Sequence, residues 1–163
     1  MRTRSLAISA IIVAALVLAF AAISIAADDP FVGIWKQGLT RIQNRATNKG
    51  ILLSQTLTIT AQGNGYKMVL YIEFVDAKPT HSENAIDLDG KERQVTGEPA
   101  YDAIMGLRVD ANTFDLVTKK AGKEQGGMRY AVSQDGKTLT LTSKGKNAKG
   151  EDVSGVPSVF DKQ

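Results

Sequence analysis

The sequence predicts an all-β protein, one antiparallel barrel of eight to ten strands, and three observations carry that prediction. Apolar and polar residues alternate with period two through most of the chain beyond residue 50. Turn signals separate these runs at intervals of about 10–21 residues. No stretch of that region carries a helical spacing. Period-two alternation marks strands with one face buried, and Gly and Asn accept the positive φ of tight hairpin turns. Regularly spaced strands with such turns between them suit an antiparallel meander.

The elements follow in order. Strands are expected at about 31–37, 51–61, 65–75, 80–88, 91–96, 101–109, 112–120, 124–134, 137–144 and 152–161. Leu57-Thr58-Ile59-Thr60 alternates with Thr outward, where its branched Cβ suits the pleat. Met68, Leu70, Ile72 and Phe74 share one face of their strand. Phe114 and Leu116 share a face of theirs, as do Met128, Tyr130 and Val132, and then Leu139 and Leu141. The expected turns are Gly63-Asn64-Gly65, Asp76-Ala77-Lys78-Pro79, Asp89-Gly90, Asp110-Ala111-Asn112, Ala121-Gly122, Asp135-Gly136 and Asn147-Ala148-Lys149-Gly150. Gly126-Gly127 falls inside a strand, where glycine marks a bulge or a close backbone approach. Residues 38–50 hold few apolar anchors and read as a surface loop or a single helical turn.

Residues 1–26 are set apart as a signal peptide. Arg2 and Arg4 precede an uncharged run from Leu6 to Ala27, and Ser24-Ile25-Ala26 places small residues at −3 and −1 of a cleavage site. The alternative is an uncleaved N-terminal anchor, since about 20 apolar residues suffice to span a bilayer. Either way residues 28–163 lie outside the cytoplasm, secreted or periplasmic, because the positive charges stay inside. Removing residues 1–26 takes the basic count from 20 to 18 against 17 acidic residues, leaving +1. Nucleic-acid binding needs a concentrated basic face, and Lys144, Lys146 and Lys149 read more simply as one solvated turn.

Catalytic and metal chemistry find little to work with. The chain has no Cys and one His, which excludes disulfides, thiolate metal sites and multi-histidine clusters. Asp87 with Asp89, Asp28 with Asp29, and Glu151 with Asp152 fit turns and edges better than acid–base pairs. Asp87-Leu88-Asp89-Gly90-Lys91-Glu92 is too short for a calcium loop. His81 is expected to pair across from Phe74 with Glu83 opposite Ile72, either as a polar anchor inside or as an exposed pair. Arg108 and Arg129 interrupt apolar strands and are both expected to point outward. No enzyme activity, metal or cofactor is expected.

Phe31-Val32-Gly33-Ile34-Trp35-Lys36 opens the domain, and Asp135-Gly136-Lys137-Thr138-Leu139-Thr140 lies near its end. The Gly-x-Trp start resembles the calycin superfamily of lipocalins and fatty-acid-binding proteins. With Ser54-Gln55-Thr56-Leu57-Thr58-Ile59 and Val95-Thr96-Gly97-Glu98-Pro99, the chain is similar to small secreted bacterial lipocalin-like proteins. The resemblance implies a calycin-like barrel closed at its base by Trp35, with Gly33 allowing the strand to bend. It does not extend to a fatty-acid carboxylate site. Arg129 and Tyr130 are adjacent and so face opposite sides, and residues 38–50 are too few for a two-helix lid.

The expected function is non-catalytic binding of a small apolar or amphipathic ligand inside a monomeric barrel. Its contacts are Tyr130, Met68, Leu70, Ile72, Phe74, Phe114, Leu116 and Met128. The alternative is a structural or protein-interaction module of the cell envelope whose barrel is filled by its own side chains.

Overall fold

A computed structural model of the chain describes residues 29–38, 42, 46–47, 50–96, 101–146 and 151–163. The strands among them are β1 (Gly33–Gln37), β2 (Ala46–Thr47), β3 (Gly50–Gln62), β4 (Gly65–Phe74), β5 (Thr80–Asp87), β6 (Asp89–Gln94), β7 (Ala103–Asp110), β8 (Thr113–Lys120), β9 (Lys123–Val132), β10 (Thr138–Lys146), β11 (Asp152–Ser154) and β12 (Ser158–Lys162). Ten of them run in the order β5-β4-β3-β1-β12-β10-β9-β8-β7-β6, with β2 beside β3 and β11 beside β10. Every pairing is antiparallel. The two ends of that order, β5 and β6, are joined in sequence by Leu88 alone. One bent ribbon therefore serves both ends, β5 pairing with β4 and β6 with β7, and the sheet curls into a nearly closed barrel.

The ten expected strands all appear, with three changes at their borders. Asp89-Gly90 is not a hairpin turn. It begins β6, and Gly90 at φ 72° accompanies a shift of register against β7. The last expected strand is split in two by Gly155-Val156-Pro157. Within the expected loop, Ala46 and Thr47 pair with Ile51 and Gly50. The expected bulge at Gly126-Gly127 is present, since the β8–β9 register slips between Thr118 and Lys119, opposite Gly126 and Glu124. Residues 1–26, the Gly97-Glu98-Pro99 part of the Val-Thr-Gly-x-Pro element and the turn at Asn147–Gly150 lie outside the described residues.

The core gathers at one end of the barrel. Phe31, Trp35, Ile59, Phe114, Leu139 and Phe160 are fully or almost fully buried there, with Tyr66 and Val132 beside them. Phe31 meets Phe114 edge-on at 4.8 Å between centroids, and Tyr66 tilts against Phe114 at 5.4 Å. Trp35 donates its indole N–H to the Phe31 carbonyl at 2.8 Å, and the Lys162 ammonium sits 5.0 Å from its ring. In register Trp35 lies between Leu57 and Lys162. Gly33 has φ 146°, a backbone that side chains rarely adopt, and a Cβ there would lie 2.9 Å from Lys162 Cε. Gly106 serves a different need. A Cβ on it would fall against the Asp87 carbonyl, where β7 approaches the end of β5.

Arg108 departs from expectation. Its face of β7 is the inward one: Gly106 is buried and Ile104 packs on the core, whereas Leu107 and Val109 are exposed. Its guanidinium lies 5.2 Å from the Phe31 ring and 5.3 Å from that of Tyr66. It pairs with Asp29 at 3.2 Å and donates to the Tyr66 hydroxyl, which also meets the Asp29 carboxylate at 2.6 Å. An inward cation is tolerable only with such partners. Burial and the Asp29 hydrogen bond raise the Tyr66 hydroxyl well above the usual tyrosine pKa. Arg129, by contrast, points outward as expected and makes a two-pronged contact with Asp115, joined by Lys144 at 3.0 Å.

Candidate functional site

Above the aromatic base the interior is not filled. A cavity of about 240 Å³ is walled by residues of β3, β4, β5, β9, β10 and β12, among them Leu57, Met68, Leu70, Tyr130, Leu141 and Phe160. A wider, more open cleft of about 640 Å³ enters where β5 and the β6–β7 arm diverge from Leu88. Met68, Asn84, Met128 and Tyr130 line both. The two spaces thus meet at these four side chains.

The strand registers account for the layering. Leu139 lies opposite both Phe160 and Val132 in the base, one step below Leu141 opposite Tyr130 and Ser158. The next step up pairs Ser143 with Met128. On the other wall Ile59–Met68 lies below Leu57–Leu70, and Gln55–Ile72 lies above. Apolar side chains therefore lie deep, and hydroxyl and amide groups collect toward solvent.

Of the eight expected contacts, Met68, Leu70, Leu116, Met128 and Tyr130 line these spaces. Phe114 lies in the base, its ring stacked on Tyr130 at 4.4 Å and 10°. Ile72 is half-buried on the same face toward the rim, and Phe74 is buried there opposite Leu52. His81 does not reach the interior. It is exposed opposite Tyr71, and Glu83 lies opposite Val69. The five residues from Val75 to Pro79 set this register, which differs from the expected one by three positions at Phe74.

That register turns the other face of β5 inward. Ser82 lies opposite Leu70 and Asn84 opposite Met68, and both line the cavity with Gln55, Ser143 and Ser158 while Ser82, Asn84 and Ser143 stay solvent-exposed. Sequence reading missed this polar group because β5 is polar on both faces. The apolar spacing of β4, read across the correct turn length, was the signal that could have found it.

Tyr130 is the most buried polar residue at the site, and its hydroxyl makes no hydrogen bond to the described residues but opens onto the cavity. Loss of hydration alone pushes its pKa up to about 12. Gln55 donates its amide to the buried Gln37 at 3.2 Å. Glu83, the charged side chain among the described residues lining the wider cleft, pairs with Lys67 at 2.7 Å. Among the described residues no cluster of three His, Asp or Glu side chains could hold a metal ion.

No family model matches the chain, and neither curated proteins nor solved structures show a match to it. The fold stands on its own geometry, an all-β, nearly closed antiparallel barrel consistent with a calycin-like architecture.

Proposed function

We propose that this is an exported, non-catalytic, lipocalin-like protein that binds one small apolar or amphipathic molecule inside its barrel. The observation that carries the reading is Tyr130: a buried ring whose hydroxyl makes no hydrogen bond to the described residues and opens where two solvent-reaching spaces meet. Water reaching the open interior can serve that hydroxyl in the free protein, and a ligand in the barrel would take the water's place. Secretion or transfer to the periplasm rests on the N-terminal run of residues 1–26.

A filled barrel acting as an envelope interaction module is the second reading. The 240 Å³ cavity favours it, being below the ~300 Å³ at which ligand pockets usually begin. The wider cleft reaching the same Tyr130 tips the balance toward binding. Titration with an environment-sensitive apolar dye decides between them. The binding reading expects saturable fluorescence enhancement at one dye per chain, lost in Met128→Trp, which fills the junction. A wild-type protein that leaves the dye unchanged supports the filled barrel.

A further inference from the structure

Resting on the binding reading, we infer that the cavity selects a neutral amphipath. Its apolar part would lie against Leu57, Leu70, Leu141 and Phe160, and an uncharged hydroxyl, carbonyl or amide group would meet Tyr130 and Asn84.

Three observations converge on this. The first is position. Tyr130 and Asn84 both line the junction of the two spaces, Tyr130 from β9 and Asn84 from β5 across the barrel. A group held there is reached from two walls.

The second is chemistry. The polar side chains facing the 240 Å³ cavity are hydroxyls and amides: Gln55, Ser82, Asn84, Tyr130, Ser143 and Ser158. They can donate and accept at the same atom or group, which suits a ligand hydroxyl or amide that does both. A carboxylate uses only donors, and an ammonium only acceptors.

The third is the medium. Burial of the Tyr130 ring pushes its pKa up to about 12, although the hydroxyl oxygen itself opens onto the two spaces. A ligand carboxylate seated between the Tyr130 ring and Asn84, which is itself solvent-exposed, would give up part of its hydration. The described lining offers it no Lys or Arg in return, and an unpaired charge in such a site is costly. A neutral head loses only hydrogen bonds to water and regains them from Asn84 and the phenol.

The test uses three probes with one chain and different heads, 1-decanol, decanoate and decylamine, each displacing the dye from the wild-type protein at neutral pH. The expected result is that decanol binds at least about tenfold tighter than either ion, a difference of ~1.4 kcal/mol. Tyr130→Phe and Asn84→Ala should each weaken decanol about fivefold, the worth of one net hydrogen bond, and leave the two ions nearly unchanged. Circular dichroism of both variants checks that the barrel persists. Decanoate or decylamine binding as tightly as decanol would overturn the inference and leave the binding reading standing. So would unchanged decanol affinity in both variants. If the wild-type protein binds neither the dye nor any of the three probes, the binding reading falls, and the inference with it.

Discussion

The two halves of the barrel interior treat polar groups in opposite ways. At the base, Trp35 donates to Phe31, and Arg108, Tyr66 and Asp29 satisfy one another beneath packed aromatic rings. Toward the mouth, Tyr130 is equally aromatic and nearly as buried, yet its hydroxyl is left over. The base is thus complete as a folding unit, its polar groups paired within the protein, whereas the Tyr130 oxygen faces the open interior. The upper half carries hydrogen-bonding capacity that folding does not use. Stability and binding are assigned to different ends of the same sheet, joined by the stack of Phe114 on Tyr130.

The largest expected contrast comes from cutting one large side chain at each end. Trp35 has no exposed surface, and Trp35→Ala should cost about 3–5 kcal/mol in urea unfolding, the range for removing a buried large aromatic. Val156 lines the mouth and is 67% exposed, so Val156→Ala should change stability by less than about 0.5 kcal/mol. Loss of less than about 1 kcal/mol for Trp35→Ala would mean that the base does not hold the barrel together.

A finer contrast removes one oxygen atom at each end. Tyr66→Phe leaves Asp29 and Arg108 each short of a hydrogen bond, and bonds to charged groups are the stronger ones. It should cost about 1–2 kcal/mol. Tyr130→Phe removes a hydroxyl with no partner among the described residues and should cost about 0.5 kcal/mol or less, or stabilise, because the desolvated group is gone. Chemical denaturation of the two variants side by side measures the difference. Equal losses would show that the Tyr130 hydroxyl is already satisfied in the free protein, and the division between the two halves would fail.

Much of this arrangement was legible in the sequence, and what was not has identifiable causes. The strands and their inward faces followed from alternation because sheets bury one face, so Met68, Leu116, Met128 and Tyr130 took the sides their spacing dictates. Arg108 misled because Leu107 and Val109 make the apolar side of β7 the exposed one. Its partner Asp29 is 79 residues away and meets it only once the barrel curls. The inward polar face of β5 was hidden for a related reason. Ser82 and Asn84 alternate with His81 and Glu83, so hydrophobicity offers no vote, and a register error across a five-residue connection inverts the answer. Asp89-Gly90 looked like a hairpin turn. The glycine instead takes a positive φ inside β6, at the register shift against β7.

The smallest expected effect lies on the outer face and tests whether the division concerns the interior alone. Asp115 is mostly covered, gripped by Arg129 and Lys144, and the Arg129 hydrogen bond chiefly holds its pKa below the usual carboxylate range. A folded-state pKa below the unfolded value of about 3.9 contributes stability that is full above that value and is lost as pH falls through the folded one. Stability should therefore drop on acidification below about pH 4, and Asp115→Asn should remove part of that drop. Arg129 is about two-fifths exposed, so solvent screening keeps the pair within the range of surface ion pairs, at or below about 1 kcal/mol near neutral pH. The check is urea unfolding of wild type and Asp115→Asn across the acid range, read as the difference between the two curves. That difference should be greatest near neutrality and close as the pH falls, and ligand affinity should not follow it. A pH-independent difference would mean that Asp115 acts through packing. A parallel loss of ligand affinity would mean that the outer face is coupled to the mouth, and the barrel would no longer separate into a half that folds and a half that binds.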